Sequence, residues 1–269
     1  MALLEVTIEG RMGEMSFHAL ADVYRNIERM FASADRAVHN GKQTMTAVVQ
    51  EIRQGSMFSA VEYVPVQAAE NADPTGVTLT VINGLEVLDN EDEPRIPPGF
   101  DLITARFAGA AAKGLNGGVK SAHLRLVESD FTVDPEYTIF PHLHRRVEVA
   151  LKPRDTVWGS IEGVVDQISI RGKSPSIGVQ ERLEQRPLRC VIDKASVDQA
   201  RDALGHRVVV TGAMSMNASS QVVKMMAEKI DLVPDDSDLP TIGSIAGKYP
   251  GFIEGADPIE YVRALRGGE

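Results

Sequence analysis

From residue 157 to residue 233 the chain offers five strand-like runs with a single helical run among them, and this order restricts the fold more than anything else in the sequence. The first run, residues 157–170, is long and contains Gly159 and Gly163. Glycines inside a long strand allow the tight coiling that closes a small sheet. Turn chemistry at Arg171-Gly172-Lys173-Ser174-Pro175 leads to a short run at 177–180. A second turn at 184–186 leads to another run at 188–192. Val197, Ala200, Arg201 and Leu204 then recur at helical spacing, with Gly205 as the stop. Strand-like residues return at 207–216 and 221–233, joined by Asn217-Ala218-Ser219-Ser220 as a hairpin turn.

Five strands with one helix between the third and fourth is the order of an OB-type β-barrel, expected here over residues 147–234. Another small barrel or half of a β-sandwich would share much of the pattern. Residues 1–146 read differently. Leu4, Val6 and Ile8 alternate with polar residues, as in an edge or surface strand. Ser16 then stands where a helix N-cap would, before Phe17, Leu20, Tyr24, Ile27, Phe31, Ala34 and Val38 at steps of three or four. Strands are predicted at 45–53 and 58–65 around the turn Gln54-Gly55-Ser56. Helices are predicted at 76–89, with Val77, Val81, Leu85 and Leu88 inward, and at 100–115, with Phe100, Ile103, Phe107 and Ala111 inward. Strand alternation resumes at Ala122, Leu124 and Leu126. The fold class that fits is α+β: an N-terminal antiparallel sheet with helices, a five-stranded OB-type β-barrel, and a short helical tail at 235–269.

The same layout resembles a set of uncharacterised bacterial proteins. The resemblance rests on Gln54-Gly55-Ser56, Pro97-Pro98-Gly99-Phe100-Asp101, Gly159-x-x-x-Gly163, the run from Leu204 through Val208 to Gly212, and the closing Tyr261-Val262-Arg263-Ala264-Leu265-Arg266. These motifs mark turns and close approaches. The resemblance therefore implies an architecture and no activity.

Composition narrows the function classes. No run of about 18 apolar residues is present, so no membrane span is expected. The N-terminus has no basic region followed by an apolar core, and Cys190 stands alone; both point to a cytoplasmic, reducing setting. The net charge of −10 argues against a general polyanion binder. It is unevenly spread: residues 145–234 carry 14 Lys/Arg against 11 Asp/Glu, and the rest of the chain carries 14 against 27.

No catalytic constellation emerges, so no enzyme is expected. Cys190 lies in an apolar run and reads as a small buried hydrophobe. Ser56 lacks the second glycine of a nucleophile elbow. His142 and His144 have no companion ligand nearby, Glu91-Asp92-Glu93 reads as a solvated loop, and no cofactor motif is present. The basic set is the most pointed feature. Arg154, Trp158, Arg171, Lys173, Arg182, Arg186 and Arg189 are the candidate residues for binding a single-stranded nucleic acid. Trp158 is the only aromatic residue among 147–234, which leaves few platforms for stacking bases.

The tail supplies a second candidate. Asp235-Asp236-Ser237-Asp238 reads as an acidic linker, and Asp257-Pro258-Ile259-Glu260 as the capped start of a short helix. Tyr249, Phe252, Ile259, Val262 and Leu265 are the residues expected to meet either this chain or a partner protein. The preferred expectation is thus a non-catalytic binding or regulatory protein acting through protein contacts, an antitoxin or immunity-like partner of a bacterial toxin or effector being one version. Weak single-strand nucleic-acid binding through an OB-type barrel is the alternative.

Overall fold

The computed structural model describes residues 3–11, 13–53, 57–66, 71–90, 92–127, 134–171, 174–181 and 187–234. Contacts divide the chain into two units, residues 1–231 and 232–269, and every helix and strand described here begins in the first. The protein is α+β, with five helices and two sheets among the described residues.

The first sheet consists of β1 (Leu3–Gly10), β2 (Met45–Arg53), β3 (Phe58–Pro65), β4 (Val119–Val127) and β5 (Glu136–Ile139), in the order β2-β3-β1-β4-β5. All its pairings are antiparallel; Val6 at the centre of β1 faces Ser59 on one side and Leu124 on the other. Leu4, Val6, Ile8, Ala122, Leu124 and Leu126 are buried, so the alternation does mark the core face, but β1 is the central strand, paired with β3 and β4, and not the edge or surface strand expected. Helices α1 (Phe17–Val38), α2 (Pro74–Asn90), α3 (Leu102–Gly114) and α4 (Leu143–Ala150) complete this part. The short elements β5 and α4 were not anticipated, and α4 spans residue 146, where the sequence places the end of the first domain.

Helix α1 buries Leu20, Val23, Ile27, Met30, Phe31 and Ala34. Its expected end anchors behave otherwise: Phe17 is 83% exposed and Val38 45% exposed. A strict 3.5-residue stripe drifts by about 20° per heptad on a straight helix. Over three heptads both ends rotate off the contact face. Val23 and Met30 take the vacated places. Helix α2 buries Val77, Val81, Leu85 and Leu88 as predicted.

Helix α3 departs from expectation in a way that matters for function. Its buried face is Thr104, Ala105, Ala108, Gly109, Ala111 and Ala112, all small. Small residues let α3 lie close to its neighbours: a Cβ at Gly109 would come within 3.0 Å of Val147 on α4, and one at Gly114 within 3.1 Å of Val23 on α1. Leu102, Ile103 and Phe107 are consequently only half-buried. Asp101 caps the helix by accepting from the Thr104 amide at 2.7 Å.

A buried carboxylate fixes the passage from α1 to β2. Asp35 is fully buried and accepts from the Thr44 amide at 2.7 Å, the Thr44 hydroxyl at 2.6 Å and the Met45 amide at 3.2 Å. His39 Nδ1 lies 2.9 Å away. Asp35→Ala should strand two amides near the core, at ~1–3 kcal/mol for each unsatisfied group. We expect urea unfolding to report a loss of about 3 kcal/mol; a loss below about 1 kcal/mol would show that water replaces the carboxylate.

The second sheet is built from β6 (Asp155–Ser169), β7 (Ser176–Glu181), β8 (Pro187–Val191), β9 (Arg207–Met216) and β10 (Val222–Leu232), with α5 (Val197–Asp202) between β8 and β9. The sheet closes on itself in the order β10-β8-β7-β6-β9. Strands β6, β7 and β8 follow one another, and β9 returns after α5 to lie beside β6, which is a Greek-key arrangement. The β6–β9 ladder is long and antiparallel, from Asp155↔Met216 to Val164↔Arg207. By contrast β8 and β10 run parallel and pair only at Met225↔Cys190 and Met226↔Val191. Ile161, Val165, Ile177, Val179, Cys190, Val208, Val210 and Met225 fill the interior. Helix α5 buries Ala200, and Gln199 Nε2 donates to the Ile230 carbonyl at 2.6 Å.

Candidate functional site

The two sheets are joined through the hairpin between β9 and β10. Asn217 shapes that turn by accepting from the amides of Ser219 at 3.0 Å and Gln221 at 2.9 Å. Ser219 Oγ then accepts from the Ile96 amide at 2.8 Å and donates to the Ile96 carbonyl at 3.2 Å. Gln221 Nε2 donates to the Phe100 carbonyl at 3.2 Å. Arg154 and Glu93 form an ion pair across the same junction. The neighbouring guanidinium groups of Arg154 and Arg95 hold the Glu93 carboxyl below its usual range. These contacts set the first turn of α3 opposite the face formed by β7, β8 and the start of β10.

The space left between them is a cleft of about 1020 Å³. Leu102, Ile103 and Arg106 of α3 form one wall. The other carries Ser176, Ile177 and Gly178 of β7, Pro187, Leu188, Arg189 and Val191 of β8, and Val223, Lys224 and Met226 of β10. Asp166, Gln167 and Ser169 from the end of β6 and Arg171 and Ser174 from the β6–β7 turn complete the rim. A smaller cavity of about 370 Å³ shares Leu102, Ile103, Pro187 and Leu188 and reaches Ile161 and the 219–222 segment.

The lining has a clear division. Its floor is aliphatic, with Ile177, Leu188 and Val191 nearly inaccessible. Its charged groups are Arg106, Arg171, Arg189 and Lys224, all exposed, and the one carboxylate Asp166. Arg189 Nε donates to Ser176 Oγ at 3.2 Å. Among the described residues no carboxylate pairs with Arg106, Arg171, Arg189 or Lys224, and no aromatic side chain lines the cleft. The α3 N-terminus is not available to an anion, because the Asp101 carboxylate already occupies it.

Comparison with protein-family models, curated proteins and solved structures finds no match.

Of the residues singled out in the sequence, Arg171 and Arg189 meet in this cleft. Arg154 does not; it is engaged with Glu93. Trp158 is 61% exposed and pairs in register with Ala213 on β6–β9, away from the cleft lining, so it is neither core nor part of this surface. Lys173, Arg182 and Arg186 lie outside the described residues, as do the 54–56 turn and the tail positions Tyr249, Phe252, Ile259, Val262 and Leu265. Sequence reasoning missed Arg106 and Lys224. The signal for Lys224 is its place between Val223 and Met225 in an alternating strand. Arg106 belongs to a helix 118 positions before Lys224, and nothing local points to the barrel.

The remaining chemistry-bearing side chains are engaged in packing. Cys190 is fully buried, 3.9 Å from Met225 Sδ, and burial pushes its thiol up to about 12. A thiol so raised is mostly protonated at neutral pH and a poor nucleophile. His142 contacts Asp89 Oδ1 at 2.8 Å while His144 contacts Glu148 at 3.3 Å, so the two imidazoles do not converge. Tyr137 donates to Asp89 Oδ2 at 3.0 Å, and burial together with that carboxylate raises its phenol. Among the described residues no group of three or more His, Cys, Asp or Glu side chains could hold a metal, and no helix is long and apolar enough to cross a membrane.

Proposed function

We propose that the chain is a non-catalytic binding protein, that residues 147–234 form an OB-type barrel, and that the cleft takes an extended acidic segment of a partner protein. Three features support the barrel reading: the closed order of five strands, the Greek-key return of β9, and the helix between the third and fourth strands. OB-type barrels bind through the face of their second and third strands, with the loops after the first and fourth strands. Here those elements are β7, β8, Arg171 and Ser174 between β6 and β7, and the 217–221 turn, and they border the two cavities.

The observation that carries the ligand assignment is the pairing of four cationic side chains with an aliphatic floor and, among the described residues, no aromatic group. Bases bind such surfaces largely by stacking, at about 1–3 kcal/mol each, and the described lining offers nothing to stack upon. Carboxylates suit Arg106, Arg171, Arg189 and Lys224, and aliphatic side chains suit the half-buried Leu102, Ile103 and Val223. The net charge of −10 further disfavours a long phosphate backbone. A cytoplasmic setting fits a chain whose single thiol is buried. An antitoxin or immunity-like role is one form such a binder can take, with a toxin or effector supplying the acidic segment.

The four cations also favour one second reading, single-strand nucleic acid held by phosphates alone. Fluorescence anisotropy with the full-length protein separates the two. A labelled peptide of alternating Glu and Val, about ten residues long, should bind at near-physiological salt, the length being that of a strand spanning ~33 Å. Oligo-dT of similar reach should bind more weakly and lose affinity steeply with salt, because its binding rests on counterion release. Tight, salt-resistant oligo-dT binding with no response to the peptide would reverse the assignment.

A further inference from the structure

We infer that the partner segment binds as an added β-strand, laid along the open edge of β8 where β8 and β10 diverge. This rests on the proposed function and goes beyond it in naming the conformation and sequence pattern of the ligand. The parallel β8–β10 pairing starts only at Cys190 and Met225. Before that point Pro187 and Leu188 pair with Gln180 and Val179 of β7 on one edge and with no strand on the other edge among the described residues, while Arg189, opposite Gly178, reaches β10 only through its carbonyl, which the Cys190–Met225 parallel pairing places against the Met225 amide.

The direction of the backbone groups follows from one hydrogen bond. The Ile192 amide donates to the Pro175 carbonyl at 3.1 Å, on the β7 side. Successive residues of a strand direct their backbone groups to opposite edges. The amides of Cys190 and Leu188 therefore also face β7, and that of Arg189 faces β10. The ladder to β10 ends at Cys190, so the Arg189 N–H meets the mouth of the cleft with no ladder partner among the described residues. Two positions earlier stands Pro187, which has no N–H to leave unpaired and is tolerated at such an edge.

A strand added here would accept from the Arg189 N–H and donate to the Pro187 carbonyl, a short form of the mode by which exposed edges capture extended peptides. Side chains of an added strand alternate between two faces. One set would enter the mouth above Ile161 and Leu188, which line the smaller cavity. The other would meet Arg106, Arg189 and Lys224. The ligand pattern this geometry selects is therefore acidic and aliphatic residues in strict alternation.

The test uses the full-length protein and the alternating Glu–Val peptide, with two analogues N-methylated on alternate residues, one for each edge of the peptide. N-methylation removes backbone donors and keeps every charge and side chain. Amide hydrogen exchange followed by NMR should show the Arg189 amide slowed at least tenfold by the unmodified peptide. One of the two analogues should bind at least tenfold more weakly than the parent peptide, and the other close to it. Binding of the parent peptide with Arg189 exchange unchanged and both analogues equally good would overturn strand addition and leave the acidic-segment reading standing. A bound peptide with helical circular dichroism would do the same. Failure of the parent peptide to bind at all would remove both.

Discussion

Gly212→Ala should destabilise the closed sheet far more than Gly159→Ala, although the two glycines face each other in register on β9 and β6. A Cβ built at Gly212 would lie 2.0 Å from the Met226 carbonyl oxygen and 3.0 Å from the Ala227 Cα, both backbone atoms of β10. Strand β10 cannot retreat from β9 without opening the ring, since it is the strand that joins β9 to β8. A Cβ at Gly159 would come as close, 2.3 Å, but to the terminal methyl of Met214, which has three rotatable bonds with which to move away. Overpacking that displaces backbone costs about 3 kcal/mol at the upper end of the usual range, whereas a rotamer change costs about 1 kcal/mol. Denaturant unfolding of the two variants should therefore differ by roughly 2 kcal/mol. Gly212→Val should do further damage, because a branched side chain adds two carbons to the same contact. Equal stability of the two alanine variants would mean that β9 and β10 are less closely apposed than the glycine spacing requires.

That contrast also shows what local sequence can and cannot reveal. The strands of the closed sheet were legible because alternation and turn chemistry are local: 207–216 coincides with β9, and the 217–220 turn joins β9 to β10 as expected. In the sequence Gly159 and Gly163 allow tight coiling, yet which of them meets backbone depends on strands distant in sequence. Gly163 faces the Gln180 carbonyl, Gly159 only a side chain. The parallel contact between β8 and β10 is likewise a matter of closure, and no periodicity encodes it. β5 and α4 escaped because four and eight residues are too few for a period to declare itself. The sequence spacing puts Phe100, Ile103, Phe107 and Ala111 inward on the 100–115 helix; Phe100 and Ala111 are buried, whereas Ile103 and Phe107 are half-buried. Its small face packs instead, because the gain there comes from close approach. That one inversion hid the cleft, since Ile103 and Arg106 form its wall.

The largest functional effect should come from reversing the charge of the two cations that sequence reasoning did not find. Arg106→Glu with Lys224→Glu would place two carboxylates on opposite walls of the cleft, leaving Arg171 and Arg189 as the described cations against Asp166 and the two new charges. Both side chains are exposed, and among the described residues neither is ion-paired, so the fold should tolerate the exchange. An exposed pair is worth up to about 1 kcal/mol, and reversal replaces each attraction by a repulsion of similar size. The double variant should therefore bind the acidic peptide about 2–4 kcal/mol more weakly, roughly 30- to 1000-fold. The deficit should shrink as salt is raised, because the Debye length falls from ~10 Å at 0.1 M to ~3 Å at 1 M. Arg201→Glu with Lys229→Glu serves as the control: it reverses the same number of charges, each exposed and paired with a nearby Asp outside the cleft lining, and should leave peptide affinity within about threefold, ~0.65 kcal/mol. If the control weakens binding as much as the double variant, net charge rather than the cleft governs the interaction. If neither does, while the parent protein binds the peptide, the acidic segment lies elsewhere on the molecule.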